Sequence, residues 1–253
     1  MTDQHASIVR PEAAWNLHRH WLIAVGFALV PVLFTAAGSA AAQIARADEA
    51  SSALIIAIGA GLSAGLGLLV MHLSPPTLRQ YGFRAALGGR SVWWFLPLPI
   101  SIVIVVGTQG VQVTGAVAAS YAVLTIAVAV NEEVWFRGII LAVLRKGGVR
   151  VAIIGSSVLF GVLHLANLAG GTYPAAAVLQ LVFAALFGVV AAELTILTGS
   201  LWPAIVWHAA WDFANFIGGN SVTSAALAGI GIVCATMLTY GVVMWTRTRA
   251  AAV

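Results

Sequence analysis

Asn131-Glu132-Glu133-Val134-Trp135-Phe136-Arg137 places two adjacent carboxylates and a guanidinium inside an apolar run that extends from about 113 to 145. An ionisable side chain at membrane depth costs roughly 2.5–3.5 kcal/mol on insertion scales, so a run that keeps three of them needs a compensating reason. Function is the default reason. The rest of the chain shows why membrane depth is the right frame. Of 253 residues, 61% are hydrophobic and 8% charged, with a mean hydropathy of +1.00, which is too little polar surface to clothe a soluble globule of this size.

Working outward, apolar runs long enough to cross about 30 Å of hydrocarbon, or nearly so, occur at about 21–45, 53–73, 92–110, 113–145, 149–168, 174–198, 201–217 and 222–246. The expected fold is an all-α polytopic transmembrane helix bundle of about eight spans. Pro97 and Pro99 interrupt the third. Along the chain this divides into an N-terminal tail (1–20), N-terminal transmembrane helices (21–110), a core carrying the intramembrane polar residues (111–217), and a last helix with a short tail (218–253). Small residues from Gly59-Ala60-Gly61 to Gly65-Leu66-Gly67 suit close helix approach in lipid. The single cysteine, Cys234, rules out an intramolecular disulfide and a cysteine-rich metal site. No cleaved signal peptide is read in the first twenty residues, which contain Asp3, Arg10, Glu12 and Arg19.

Charge orients the bundle. With eight spans, Arg10, Arg19, Arg79, Arg84, Arg90, Arg145, Lys146, Arg150, Arg247 and Arg249 all fall on one side, and only Arg46 lies opposite. The positive-inside rule then puts both termini in the cytoplasm, with the chain in the cell membrane. The excess of basic residues is a topology signal with some affinity for anionic lipid, and no nucleic-acid partner is expected.

Two further polar sites sit within spans. Phe160 and His164 are four residues apart and share a helix face, as do His208 and Asp212. Glu193, near the end of the sixth span, reads equally as a structural residue or a substrate contact. Arg145-Lys146-Gly147-Gly148 is a helix stop and turn, so the fourth and fifth spans form an antiparallel hairpin. Glu132 and His164 are each sixteen residues from Gly148, about 24 Å along either arm at 1.5 Å per residue, hence at matching depth. His208 lies only about 10 Å into the seventh span at the same rise, so convergence needs a projecting hairpin or a seventh span that starts below the surface.

Glu132-Glu133-x-x-x-Arg137, Phe160-x-x-x-His164 and His208-x-x-x-Asp212, in that order on separate helices, resemble the three signature motifs of the CPBP intramembrane proteases, the CAAX- and bacteriocin-processing (Abi) group that includes Rce1-type endopeptidases. Thr198-Gly199-Ser200-Leu201-Trp202-Pro203 is similar to the stretch before that family's last histidine, and Leu78 to Arg84 is faintly like its linker. The resemblance covers about 92–217. Asp212 stands where asparagine is also common, and Ile196-Leu197 replaces a frequent basic pair.

The resemblance implies a peptidase acting on a membrane-associated peptide or protein. Peptide hydrolysis needs an activated water, a proton donor and oxyanion stabilisation. On that reading Glu132 and His164 hold the water with Glu132 as base, and Glu133 and Arg137 form an ion pair. His208 points at the oxyanion, with Asp212 setting its tautomer. The family is described both as metalloproteases and as glutamate-dependent proteases, so a divalent metal such as Zn2+ held by Glu132, His164 and His208 is one expectation, with Glu133 then a plausible base. Two other classes stay open: a transporter, and a non-catalytic binding or bacteriocin-immunity scaffold on the same fold.

Overall fold

A computed structural model describes residues 11–86, 95–113, 115–168, 170–171, 173–219 and 223–250. Trp93 and Trp94, read from the sequence as an interfacial belt, lie outside the described residues, as do His5, Arg10 and Arg90. The helices are α1 (Pro11–Ile44), α2 (Glu49–Leu73), the short α3 (Leu78–Tyr81), α4 (Pro97–Gln109), α5 (Gly115–Glu133), α6 (Leu141–Leu144), α7 (Val149–Leu163), α8 (Pro174–Thr198), α9 (Trp202–Ile217) and α10 (Ser224–Ala250). There is no strand among the described residues. The protein is an all-α polytopic bundle.

Five helical stretches are long and apolar enough to cross a membrane: His18–Ile44, Glu49–Leu73, Val149–Leu168, Pro174–Thr198 and Ser224–Thr248. The other three expected spans are helical but shorter or interrupted. Pro97 does not break the third one; it opens α4 in its first turn, where a missing N–H costs no helical bond. The run from Gly115 passes from α5 through a π-helical segment, Val134–Ile140, into α6, and α9 has 16 residues. α1 begins at Pro11, ten residues before the expected start of the first span, so the N-terminal tail read over 1–20 is helical from Pro11 onward.

The outer surface matches a lipid solvent. Leu22, Leu33, Ile58, Leu62, Val103, Val206 and Leu238 are all exposed, spread over five helices, and such a surface would be unfavourable in water. Inside, small residues bring helices together. A Cβ on Gly59 would lie 2.7 Å from the Phe34 carbonyl oxygen, and one on Gly67 would lie 2.6 Å from Val134 Cγ1, so α2 packs backbone-close against α1 and the π-helical segment. Gly61 and Gly65 face open space, so only part of the glycine-rich stretch is used this way.

Contacts between connections sort the helix ends. Leu201 N–H donates to Gly82 O at 2.9 Å, and the Arg150 guanidinium sits 5.6 Å from the Trp245 ring centroid. Those contacts gather the basic connections at one end. At the other, Gln112 N–H donates to Ile217 O at 2.7 Å, and the Tyr121 hydroxyl donates to Glu49 beside the Arg46 turn. In that turn Asp48 caps α2 by accepting from Ser51 N–H at 2.8 Å, which holds its carboxyl below the usual range. The clustering of basic residues at one end, inferred from the sequence, therefore holds for those the structure describes.

Candidate active site

The site is built where α5, α7, α8 and α9 meet around Phe160. Glu132 and Glu133 close α5, and the π-helical turn follows at once. Such a segment adds a residue to the turn and is frequent at functional sites, because it turns side chains out of the regular helical register. Trp135 Nε1–H donates to Ser63 O at 3.2 Å and to Ser63 Oγ at 3.0 Å, tying this segment to α2. All seven residues from Val134 to Ile140 are buried.

Arg137 Nη1 donates to Glu133 Oε1 at 3.0 Å, the i,i+4 ion pair expected from the sequence, with both side chains almost wholly buried. The guanidinium also lies 4.2 Å from the Phe160 ring centroid and 5.7 Å from that of Phe187, so aromatic faces take the place of water around it.

The same Glu133 oxygen holds His208, with 2.8 Å between Oε1 and Nδ1. An oxygen already accepting from Arg137 is an acceptor toward the ring as well, so Nδ1 carries the hydrogen. Nε2 is then left facing two other carboxylates, Glu132 Oε2 and Asp212 Oδ2, each at 3.5 Å. The sequence reading assigned the tautomer to Asp212; the short contact belongs to Glu133. The reason is geometric: Asp212 is on the same helix as His208, four residues on, and faces Nε2, while Glu133 approaches from α5.

His164 ends α7, and a 3-10 turn, His164–Leu168, replaces the continuous helix expected there. Its Nδ1 donates to Phe160 O at 2.8 Å, which leaves Nε2 without a hydrogen. The His164 and His208 rings share Phe160 as a neighbour, their centroids 4.7 and 6.0 Å from its own. Phe187 stacks on Trp207 at 4.1 Å, and Trp207 Nε1–H donates to Ser101 Oγ at 3.0 Å, so this tryptophan is a packing residue.

Around His208 the accessible groups are carboxylates, with the half-buried His164 beside them. Side-chain exposure is 20% for Glu132 and 27% for Asp212, against 6% for His208 and 0% for Glu133. Glu132 and Asp212 therefore meet anything that enters, and Glu133 and Arg137 act from behind. Glu193 is not part of this cluster: it is fully buried on α8 facing Gly241 of α10, and neither carboxyl oxygen has a hydrogen-bond partner among the described residues. The amide of Asn131 is likewise buried with no such partner.

Among the described residues, no three His, Cys, Asp or Glu side chains are grouped so as to hold a metal ion. Both histidines bond a protein group through Nδ1, His208 to Glu133 and His164 to Phe160 O, so Nε2 is the atom each would offer a metal, but the expected set of Glu132, His164 and His208 is not assembled around one point.

Fold and site together define a multi-pass helical membrane protein with a buried Glu–His–Asp cluster. Residues 114–214, which carry every residue of that cluster, match the family model described as type II CAAX prenyl endopeptidase Rce1-like. This part of the chain is similar to the Rce1-like endopeptidases, which is consistent with the CPBP/CAAX protease family, and that similarity points to a peptidase. No curated protein and no solved structure gives a significant match.

Proposed function

We propose that the protein is an intramembrane endopeptidase that hydrolyses a peptide bond in a membrane-associated protein or peptide, of the CAAX-processing or leader-processing kind. The observation that carries this reading is the arrangement on His208: Glu133 on Nδ1 at 2.8 Å, and the more exposed Glu132 and Asp212 both 3.5 Å from Nε2. A bound peptide and a water would meet Glu132 and Asp212 before the other groups on His208.

Glu132 is the general base, taking a proton from the water that attacks the scissile carbonyl. His208, oriented by Glu133, takes the water's proton from Glu132 at Nε2, hydrogen-bonds the oxyanion through that N–H, and delivers the proton to the leaving amine as the C–N bond breaks. Asp212 supports whichever form of the ring carries the proton on Nε2, and His164 Nε2 is a second acceptor beside the same Phe160. Arg137 compensates the charge of Glu133, so that Glu133 can orient the ring without an unpaired burial. A metal at Glu132, His164 and His208 would supply Lewis-acid polarisation and a more acidic water, but these side chains are not gathered around one point and no step is assigned to it.

By the positive-inside rule, the basic end faces the cytoplasm and the membrane is the cytoplasmic one. The scaffold alternative uses the same fold without turnover. Comparison of membrane peptidomes from cells carrying the wild type and Glu132→Gln separates the two: fragments that disappear with the variant support the peptidase, and identical peptidomes support the scaffold.

A further inference from the structure

α9 carries His208 and Asp212, and it starts inside the protein. Ser200 and Leu201, just before its first turn, have no exposed surface, because the segment after α3 lies over them. Leu201 N–H donates to Gly82 O at 2.9 Å, Ser200 Oγ donates to Arg84 O at 2.6 Å and accepts from Trp202 N–H at 3.3 Å, and Arg84 Nε donates to Gly199 O at 2.7 Å. Phe83 meets Trp202 edge to face at 5.9 Å. Gly199 adopts φ +63°, and a Cβ there would lie 1.9 Å from Arg84 Nη2. Only glycine admits both this backbone and the guanidinium above it.

These bonds come from residues 82–84, before the Rce1-like match at 114–214 begins. They grip the α8–α9 connection about 9 Å of helical rise from His208. α9 has no side-chain hydrogen bond from its N-cap residue; this grip holds its first turn, while Trp207 on Ser101, Asn215 on Gln109 and Ile217 on Gln112 hold the rest. An axial slip of α9 would misalign the His208 Nδ1–Glu133 bond and carry Nε2 away from Glu132 and Asp212, and a misplacement of about 1 Å in a catalytic geometry can cost about a hundredfold in rate.

We infer that Arg84, with Gly82 and Ser200, forms a positioning latch that sets the axial register of α9 and so holds His208 on Glu133. Arg84 acts through α9 and is not a catalytic residue. The kinetic part of this inference rests on the proteolytic reading above, whereas the structural part does not.

The test uses the full chain in nanodiscs with 15N-labelled histidine, the His208 resonances being identified by their loss in His208→Asn. Arg84→Ala and Gly199→Ala should shift the His208 Nδ1 signal. On a fluorogenic farnesylated CAAX peptide they should lower kcat about ten- to a hundredfold with KM little changed. Arg84→Lys, which keeps a donor for Gly199 O, should recover part of both. If Arg84→Ala does not accumulate, Gly199→Ala and Arg84→Lys carry the comparison. A His208 signal identical to wild type in the variants overturns the latch, whatever the activity. A shifted signal in a protein whose wild type cleaves nothing supports the latch and counts against the proteolytic reading.

Discussion

One carboxylate oxygen, Glu133 Oε1, holds both Arg137 Nη1 at 3.0 Å and His208 Nδ1 at 2.8 Å, so the ion pair that stabilises α5 also orients the imidazole on α9. Glu132, its neighbour in sequence, is left free of that structural duty. The two adjacent glutamates therefore answer differently to the same substitution.

Glu132→Gln should abolish cleavage while leaving expression and thermal stability close to wild type. The change removes a base but keeps the size of a side chain that has no short protein bond to lose. Cleavage of the fluorogenic peptide and a melting curve in detergent measure the two effects. Retained turnover would remove Glu132 from the base role.

Glu133→Gln and Arg137→Ala should lower folded yield as well as activity. Each leaves its partner's charge buried without compensation, a loss of about 3–5 kcal/mol for such a pair. Joint replacement by apolar residues of similar volume should restore yield without restoring activity, because His208 would still lack its Nδ1 partner. Size-exclusion profiles alongside cleavage assays would show that separation, and an active double variant would dismiss the orienting role.

Metal dependence turns on the two histidines. With the residues arranged as they are, treatment with a strong chelator should leave cleavage unchanged, and metal analysis of purified protein should give well under one equivalent of zinc. Stoichiometric zinc, lost together with activity and restored by its return, would show instead that Glu132, His164 and His208 close around an ion through the free Nε2 atoms.

Orientation can be read with single cysteines in a Cys234→Ala background, since Cys234 is the only native thiol. Gly147 and Tyr173 are exposed at opposite ends of the bundle. In intact cells an impermeant maleimide should label Tyr173→Cys, while Gly147→Cys should react only after the membrane is opened. The reverse pattern would place the basic end outside and invert the topology.

Composition and the spacing of apolar runs were enough to read an all-α membrane bundle, because each span announces itself by its own local hydropathy. α8 matches its expected limits residue for residue, and the turn at Arg145–Gly147 lies where basic residues and glycines predicted it. The i,i+4 relation of Glu133 and Arg137 was legible for the same reason: helical periodicity brings residues four apart onto one face. Membership of one site by Glu132, His208 and Asp212 followed only from the order of motifs resembling a family.

Tertiary structure alone decided which carboxylate each imidazole nitrogen meets. Asp212 was the local candidate for His208, yet Glu133, 75 residues away in sequence, makes the short bond, because α5 and α9 pack side by side. The π-helical turn after Glu133 and the change to a 3-10 turn at His164 were equally hidden, since no glycine or proline stands at either junction, Glu133–Val134 or Leu163–His164. Periodicity sets the face a side chain occupies. Its partner to within an ångström is set by the packing of whole helices, and for α9 that includes the Gly82–Arg84 segment, which no local pattern connects to His208.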